Sequence, residues 1–386
     1  MLGGPLPPER GRGEGGIQTG SDRVGRPCPA GAASGLGEDA CFHSPSPWRH
    51  RLDSLTQIVL GASVAAVAVP ARDRRVALVA GAVLGTLPDL DGLPLAWMGV
   101  DAVTNVTWHR GPSHSLPVLL VAGWLIWLLA RRWSARVRKA PRGWLVGIWL
   151  ALITHPLLDA FTVYGTQLWW PSPTPPVMGG SVFIIDPLYT LPLLVAVIVA
   201  AVAGPRPRGR RWLSGALVLS SLYLGWSLVA QQWVDRIAAR ALAAQGLQDA
   251  PRLVVASPLN TLLWRVVVMT PDGFLEGERS LVADSGAMHF TPHASEVQAL
   301  RALAQERAVA RLRWFTHGFM KAARDGDDLI VSDLRMGAEP DYSFNYRVAR
   351  WDDGTWRPVP VALQGGIRNA RGMLGRTWQR IWASPG

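Results

Sequence analysis

An imidazole and a carboxylate lie four residues apart in one apolar run of this chain. On a helix, His155 and Asp159 of the segment HPLLD would share one face, where both can bind a single divalent ion. The alternative is that His155 hydrogen-bonds a neighbouring helix while Asp159 ends its own helix. The pair taken alone leaves both interpretations open.

A second segment, WHRGPSHS, sets two histidines on either side of a Gly-Pro turn. A tight turn can direct His109 and His114 at one point, with Arg110 beside them to neutralise a phosphate. The alternative is an ordinary helix start that Ser113 caps, with His114 in the membrane interface. We treat His109 and His114 as candidate metal ligands and Arg110 as a candidate catalytic residue.

Four aspartates stand at the ends of apolar runs. Asp89 and Asp91, two residues apart in LPDLD, offer carboxylate oxygens in a break after a run, or else belong to a solvated turn. Asp53 precedes the first run and is explained equally well as a helix N-cap, as is Asp186 before Pro187. Asp89 and Asp91 are candidate metal ligands, and Asp53 is a candidate general base.

The composition indicates a membrane protein. Only 17% of the 386 residues are charged, 49% are hydrophobic and the mean hydropathy is +0.15, which excludes a disordered chain and disfavours an ordinary soluble enzyme. The net charge of +11 falls largely in short loops between apolar runs, so it indicates membrane topology rather than nucleic-acid binding. The two cysteines, Cys28 and Cys41, exclude a disulfide scaffold and a cysteine-based zinc site in the rest of the chain.

The apolar runs predict about six membrane spans, of which the first two are short enough to be tilted or re-entrant. These runs cover residues 55–70, 76–88, 116–130, 144–158, 187–203 and 212–234. Residues 1–51 form a low-complexity extension, which we place upstream of the true start. After the runs we predict a linker over 235–251 and an α+β domain over 252–386, with strands at 253–257, 263–269, 328–333 and 343–351 and a helical pattern around 294–308. The predicted fold is thus predominantly α, a multi-pass helical membrane domain followed by a small extramembrane α+β domain.

Arginine-rich loops alternate with loops that carry aspartates. Arginines follow the first, third and fifth runs, and because cytoplasmic loops retain Lys and Arg, these loops are predicted to face the cytoplasm. The candidate site residues and the C-terminal domain then fall on the outer side. Unpaired ionisable groups at this depth cost several kcal/mol, so their convergence predicts a shared site with a metal or a substrate as counter-charge.

Several segments, in order, resemble the YdjM-type inner-membrane proteins. They are LDSLTQ, GTLPDLD, TWHRGPSHS, HPLLD, YGTQ and IDPLYT, and they span roughly residues 52–234. Members typically begin at a Met where this chain has Leu52, which supports the predicted start. The resemblance implies an integral protein of the bacterial inner membrane, described as a metal-dependent hydrolase, with a His/Asp constellation. The C-terminal region is similar to the extra outer domain of longer members.

On this basis we expect one or two divalent ions, zinc by ligand type with manganese as the alternative, held by the six candidate ligands. A metal lowers the pKa of bound water to about 7, so that water can attack a phosphoester or ester without a Ser-His-Asp triad. A site at the interface favours a lipid-linked or small amphiphilic substrate. The expected substrate-pocket residues are Ser113, Tyr164, Thr166, Gln167 and Asp186, although a membrane-surface turn explains 164–167 as well.

Two other function classes stay open. The same His/Asp cluster could carry ions or protons in a transporter, although its polar groups lie at one face and no repeat is visible. It could also be structural, in a membrane protein whose C-terminal domain binds a partner. The expected partners are the lipid bilayer and the substrate, without nucleic acid, and the sequence does not identify a protein partner.

Overall fold

The computed structural model describes residues 49–366 and 370–384, and for residues 49–54, 93, 96 and 370 it describes the backbone alone. The predicted low-complexity extension lies outside the described residues, apart from the backbone of 49–51. So does the side chain of Asp53, whose backbone lies in the first helix.

Each of the six apolar runs is helical. In chain order the helices of this part are α1 (Arg49–Ala68), α2 (Arg74–Thr86), α3 (Gly92–Trp97), α4 (Ala102–Trp108), α5 (Leu116–Trp133), α6 (Ala135–Lys139), α7 (Pro141–Asp159), α8 (Pro187–Ala203) and α9 (Pro207–Ala243). In the described part of the chain, α5 and α9 are long and apolar enough to cross a membrane, while α8 and the apolar portion of α1 are shorter. The predicted number of six spans is therefore not confirmed.

Helix α1 lies at the centre of the bundle and packs against α2, α7, α8 and α9. Small residues allow α1 and α2 to approach closely, because a Cβ added to Gly85 would lie 2.6 Å from the carbonyl oxygen of Gln57. Gly81 and Gly85 of α2 are four residues apart, so both face α1. This approach brings the end of α2 beside α7, where the candidate ligands lie.

The arginine-rich loops meet at one end of the bundle. Arg74 is buried and its Nη1 donates to the carbonyl oxygens of Gly204 and Arg206, at 2.5 and 2.9 Å. Arg136 lies 3.4 Å from Asp73. Since α2 and α7 begin at this end, their candidate ligands lie at the opposite end of the bundle.

The C-terminal region is α+β, as predicted. Its strands are β1 (Arg252–Ala256), β2 (Leu263–Thr270), β3 (Gly273–Ser280), β4 (Thr291–Ala294), β5 (Met320–Asp325), β6 (Asp328–Asp333), β7 (Gly337–Ala338), β8 (Asp341–Tyr342), β9 (Asn345–Asp352) and β10 (Thr355–Gln364). They form two antiparallel four-stranded sheets, ordered β1-β2-β3-β4 and β10-β9-β6-β5, and the small β7-β8 pair. The described helices of this region are α10 (Val297–Ala302), α11 (Arg307–Thr316) and α12 (Ala370–Trp382), so the helical pattern around 294–308 corresponds to parts of two helices.

The segment predicted as a linker, 235–251, is half helical, because α9 continues to Ala243. Ala230, Val234, Ala238 and Leu242 recur every four residues and are buried. They pack against the first sheet together with Trp264 and neighbouring strand residues. This buried stripe extends the helix through a segment whose composition is otherwise polar.

The C-terminal domain binds α4 and the loop that follows α7. The Arg335 Nη1 donates to the Tyr164 and Phe315 carbonyl oxygens, at 2.8 and 3.1 Å. The Arg311 Nε donates to the Thr107 Oγ1 at 2.9 Å. These contacts hold α4 and residues 160–182 against the domain, and both segments adjoin the candidate site.

Candidate metal centre

Four predicted ligands come together although they belong to three elements. Asp89 lies in a 3-10 turn (Leu87–Asp91) after α2, His114 in a 3-10 turn (Pro112–His114) before α5, and His155 and Asp159 in the last turn of α7. One ligand atom from each lies within 4.8 Å of all the others. The predicted sharing of one helix face by His155 and Asp159 is confirmed, with 3.5 Å between the His155 Nε2 and the Asp159 Oδ2.

The tautomer of His155 follows from its hydrogen bond to the backbone. Its Nδ1 lies 2.5 Å from the Gly85 carbonyl oxygen, which can only accept, so Nδ1 carries the proton. In a neutral imidazole the Nε2 then has a free electron pair, which faces the cluster. A backbone carbonyl that orients the distal nitrogen is a frequent companion of metal-binding histidines.

The tautomer of His114 follows from a chain of two hydrogen bonds. The Ser113 hydroxyl donates to the Asp91 Oδ2 at 2.6 Å, so its oxygen accepts from the His114 Nδ1 at 2.9 Å. The His114 Nε2 is therefore also an electron-pair donor. It lies 3.4 Å from the Asp89 Oδ1 and 3.3 Å from the Asp159 Oδ2.

The two Nε2 atoms are 3.1 Å apart and, in these tautomers, neither has a proton to give to the other. Two carboxylates complete the group, so four electron-pair donors surround one point, and a cation would satisfy them all. The set therefore fits a divalent metal ion. It does not indicate which metal, because imidazole and carboxylate suit zinc and manganese alike.

Asp159 is held from two further directions. The Arg110 Nε is 3.3 Å from the Asp159 Oδ2, and the Gln57 Nε2 donates to the Asp159 Oδ1 at 3.0 Å. Arg110, predicted as a catalytic residue, is buried and has a positive φ of 63°. Gln57 was not predicted as a site residue. The available signals were its amide side chain inside an apolar run and its position at the end of the LDSLTQ segment.

Asp91 and His109 lie beside the four-donor group rather than in it. The His109 Nδ1 is 2.8 Å from the Asp91 Oδ1. Burial alone would raise the pKa of Asp91, but hydrogen bonds from His109 and Ser113 outweigh it and hold that pKa below its usual range. Asp91 thus stays ionised and orients both His109 and Ser113.

The cluster opens to solvent on one side. The side chains of His114, His155 and Asp159 are at most 3% exposed, whereas those of Asp89 and His109 are 25% and 30% exposed. The solvent-exposed side of the cluster is therefore the side of Asp89 and His109.

The predicted pocket residues mainly hold the surrounding loops. The Tyr164 hydroxyl donates to the Val106 carbonyl and the Gln167 Nε2 to the Thr107 carbonyl, both at 2.9 Å. Thr166 is buried and its backbone pairs with Val177.

Asp186 lies at the start of α8. Its Oδ1 accepts from the Leu188 amide at 2.9 Å, and its Oδ2 accepts from the Tyr223 hydroxyl at 2.7 Å. Burial raises the pKa of Asp186. The N-cap alternative thus describes its contacts, and its role in a substrate pocket stays a prediction.

Comparison with known proteins shows which sequences this chain resembles. Residues 52–234 match the family described as YdjM inner membrane protein. The chain is 38% identical over 97 residues to the inner membrane protein YbcI of Escherichia coli (strain K12), an alignment that covers 24% of this chain and about half, 51%, of YbcI. It is 25% identical over 243 residues to the uncharacterized protein YfhP of Bacillus subtilis (strain 168), covering 58% of this chain and 68% of YfhP. No solved structure matches the chain significantly.

All four residues of the cluster lie inside the matched segment, which begins where the sequence resemblance begins. The family and the name of the E. coli relative support a location in the inner membrane. Residues 52–234, slightly less than half of the chain, are thus similar to the YdjM inner membrane protein family.

Proposed function

We propose that this protein is a membrane-embedded, metal-dependent hydrolase that cleaves a phosphoester or ester of a lipid-linked or amphiphilic substrate. The observation that carries the proposal is the pair of Nε2 atoms of His114 and His155. Each is left as an acceptor by its own hydrogen bonds, and they face one another 3.1 Å apart between two carboxylates. A bound divalent ion would supply an activated water and neutralise charge on the substrate.

The surrounding side chains then have distinct tasks. Arg110 and Gln57 hold Asp159 on either side, so Arg110 acts as a positioning residue rather than as a free binder of phosphate. Asp89 lies at the open edge of the cluster, so it is the ligand residue nearest to an entering substrate.

His109 is the best-placed general base in the described site. Its Nδ1 faces the ionised Asp91 at 2.8 Å, which leaves the Nε2 free to accept a proton. Its ring centroid is 6.0 Å from that of His114, and its side chain is partly exposed. His109 can therefore take a proton beside the cluster and return it to a leaving group.

A membrane setting supports the substrate class. We propose that α1, α2, α5, α7, α8 and α9 cross or enter the inner membrane, with the arginine-rich end in the cytoplasm and the cluster at the outer face. Leu87, Leu90 and Trp97, close to Asp89 in the chain, are large apolar residues that are exposed. Apolar surface next to a polar site suits a substrate with an acyl or isoprenoid portion.

The first test is the metal content of the detergent-purified protein. Wild type should retain about one or two zinc or manganese ions per chain, and a His114→Ala, His155→Ala double variant should retain none. His289→Ala, which removes an exposed histidine remote from the cluster in sequence, is the matched control. A wild type that binds no metal, even after reconstitution with zinc and manganese, would overturn the proposal.

The second test is a hydrolysis screen with para-nitrophenyl phosphate, bis-para-nitrophenyl phosphate and a para-nitrophenyl ester. Metal-dependent turnover that His109→Gln abolishes without loss of metal would support the assigned base. Metal binding with ion flux in vesicles and no hydrolysis would favour a transporter. Metal loss that unfolds the protein, with neither hydrolysis nor flux, would favour a structural site.

A further inference from the structure

The C-terminal helix α12 has an apolar face that the described part of the chain leaves uncovered. Ile381 is buried against the first sheet. Leu374, Trp378 and Trp382 recur every four residues along another face, and all three are exposed, Trp378 by 64%. A helix that only stabilised this domain would not need a second apolar stripe.

The C-terminal end of α12 lies beside the end of the first sheet at which β3 ends and β2 begins. The Ser280 hydroxyl, in the last residue of β3, donates to the Ile381 carbonyl oxygen at 2.6 Å. Ser280 pairs with Leu263, the first residue of β2. Val282 follows two residues after Ser280 and is 54% exposed. The exposed stripe of α12 and Val282 therefore belong to the same end of the domain.

This end of the sheet also touches the helical bundle. In the turn between β1 and β2, the Thr261 Oγ1 lies 3.2 Å from both the Trp226 Nε1 and the Tyr223 hydroxyl of α9. The Tyr223 hydroxyl in turn donates to Asp186, the N-cap of α8. The turn therefore lies at the level where α8 begins, which is the membrane interface if α8 enters the bilayer.

The same turn exposes Leu259, which adopts a φ of 66°. The backbone of a leucine in the left-handed region is strained. This conformation exposes an apolar side chain at the level where α8 begins. On α9, Leu222, Trp226 and Val229 are exposed as well, so apolar surface continues from the bundle onto the domain.

We propose that Leu259, Val282, Leu374, Trp378 and Trp382, together the interfacial face, rest on the surface of the lipid bilayer. Tryptophan and leucine beside arginine are typical of helices that lie in the headgroup region, and the exposed Arg371, on the same side of α12 as the stripe, adds attraction to anionic lipid. The occupant is the bilayer that already surrounds the bundle, because the interfacial face adjoins the apolar surface of α9. The C-terminal domain is thereby held against the membrane at a second place, apart from α9.

The test uses the full chain in vesicles of phosphatidylethanolamine and phosphatidylglycerol. In a Cys28→Ser, Cys41→Ser background, Trp378→Cys and Val282→Cys are labelled in separate variants with an environment-sensitive fluorophore. Gln379→Cys, on another face of the same helix, and Asp353→Cys, in the exposed turn between β9 and β10, are the matched controls. Quenching by nitroxide-bearing lipid and by aqueous iodide is measured at each position.

The proposal predicts several-fold stronger quenching by the lipid probe at positions 378 and 282 than at 379 and 353, with the reverse order for iodide. Iodide quenching at 378 and 282 equal to that of the controls would overturn it, because the face would then lie in water. Protection from both quenchers would also overturn it and indicate a second protein, such as another copy of this chain. The readout needs neither metal nor turnover, so its failure is separate from failure of the hydrolase proposal.

Discussion

Two buried groups of charges, one in the helical bundle and one in the C-terminal domain, are built in opposite ways. In the domain, Arg335 binds Asp333 at 2.7 Å and Arg265 binds Glu276 at 2.8 Å, and each guanidinium also donates to backbone carbonyls. In the bundle, the Nε2 atoms of His114 and His155 face one another and two carboxylates. The first group pairs each carboxylate with a guanidinium, whereas the second brings four acceptors around one point.

This difference separates groups that serve the fold from groups that serve a ligand. A buried ion pair that has lost one partner leaves an uncompensated charge, so its loss appears in the free energy of unfolding. The two facing Nε2 atoms, by contrast, form no hydrogen bond with each other in their assigned tautomers and gain a shared partner when a cation binds, so loss of a histidine there appears in ligand affinity.

The largest expected effect is on Arg335. Arg335→Met should lower the free energy of unfolding by about 3 to 5 kcal/mol, because it leaves Asp333 buried without its partner. Unfolding of the detergent-solubilised protein by heat and denaturant measures this loss. Arg350→Met, which breaks an exposed pair with Asp328, is the control and should have a much smaller effect. Equal losses in the two variants would contradict the distinction.

The second effect is on His155. Zinc at a hundred times its dissociation constant should stabilise the wild type by about 2.7 kcal/mol, and His155→Ala should abolish that gain. Thermal unfolding with and without zinc, after chelator treatment, provides the measurement. Arg350→Met should keep the full zinc-dependent gain. A gain that persists in His155→Ala would show that the ion binds elsewhere.

A smaller effect tests how the histidines are oriented. Ser113→Ala removes the hydroxyl that links the His114 Nδ1 to Asp91, and it should weaken zinc binding by roughly 10 to 100-fold. Ser115→Ala is a matched control, because the Ser115 hydroxyl donates to the Trp170 carbonyl and not to a histidine. Competition with a zinc-binding dye gives both affinities. Identical affinities would mean that Ser113 does not set the tautomer.

The smallest expected effect is on the pH dependence of the stability of the C-terminal domain. Burial alone would raise the pKa of Glu276, but the hydrogen bond and charge of Arg265 hold it below the ordinary value of 4.5. A lowered folded pKa adds stability above the unfolded pKa, and this stability is lost as the pH falls through the folded pKa. Glu276→Gln should therefore be less stable than wild type near neutral pH, and the gap should narrow below pH 4.5. Denaturant titrations across that range measure the difference in the free energy of unfolding between the variant and wild type. A difference that does not change with pH would show that the pair is not responsible.

The helices and the core of the site were predictable for physical reasons. Long apolar runs bounded by arginines coincide with α2, α5, α7, α8 and α9, and spacing by four placed His155 and Asp159 on one face. The roles of single residues were harder to predict from the sequence. Gln57 ends the LDSLTQ segment, but that segment alone does not show that its amide reaches Asp159, because this contact depends on the close approach of α1 to α7.

Two of the six predicted ligands lie outside the four-donor group, because sequence spacing does not show which side of a turn a side chain takes. Asp91 and His109 are neighbours of Asp89 and His114 in the chain, yet they bind each other beside the cluster. The linker was misjudged for a similar reason. Small apolar residues recur every four positions from Ala230 to Leu242. Without knowledge of the sheet they pack against, this segment resembles a polar linker.

The 37 uninterrupted residues of α9 also constrain how the chain can change in length. Each residue added to a helix turns everything beyond it by about 100° and advances it by about 1.5 Å. One extra residue before Gln231 would carry its side chain away from the Gly179 and Val254 carbonyls, which it now binds at 2.6 and 2.8 Å. Seven extra residues would return the helix to within about 20° of its original phase. They would also advance the end of the helix by about 10 Å, so an insertion in α9 should separate the C-terminal domain from its contacts with the bundle even where it restores the phase.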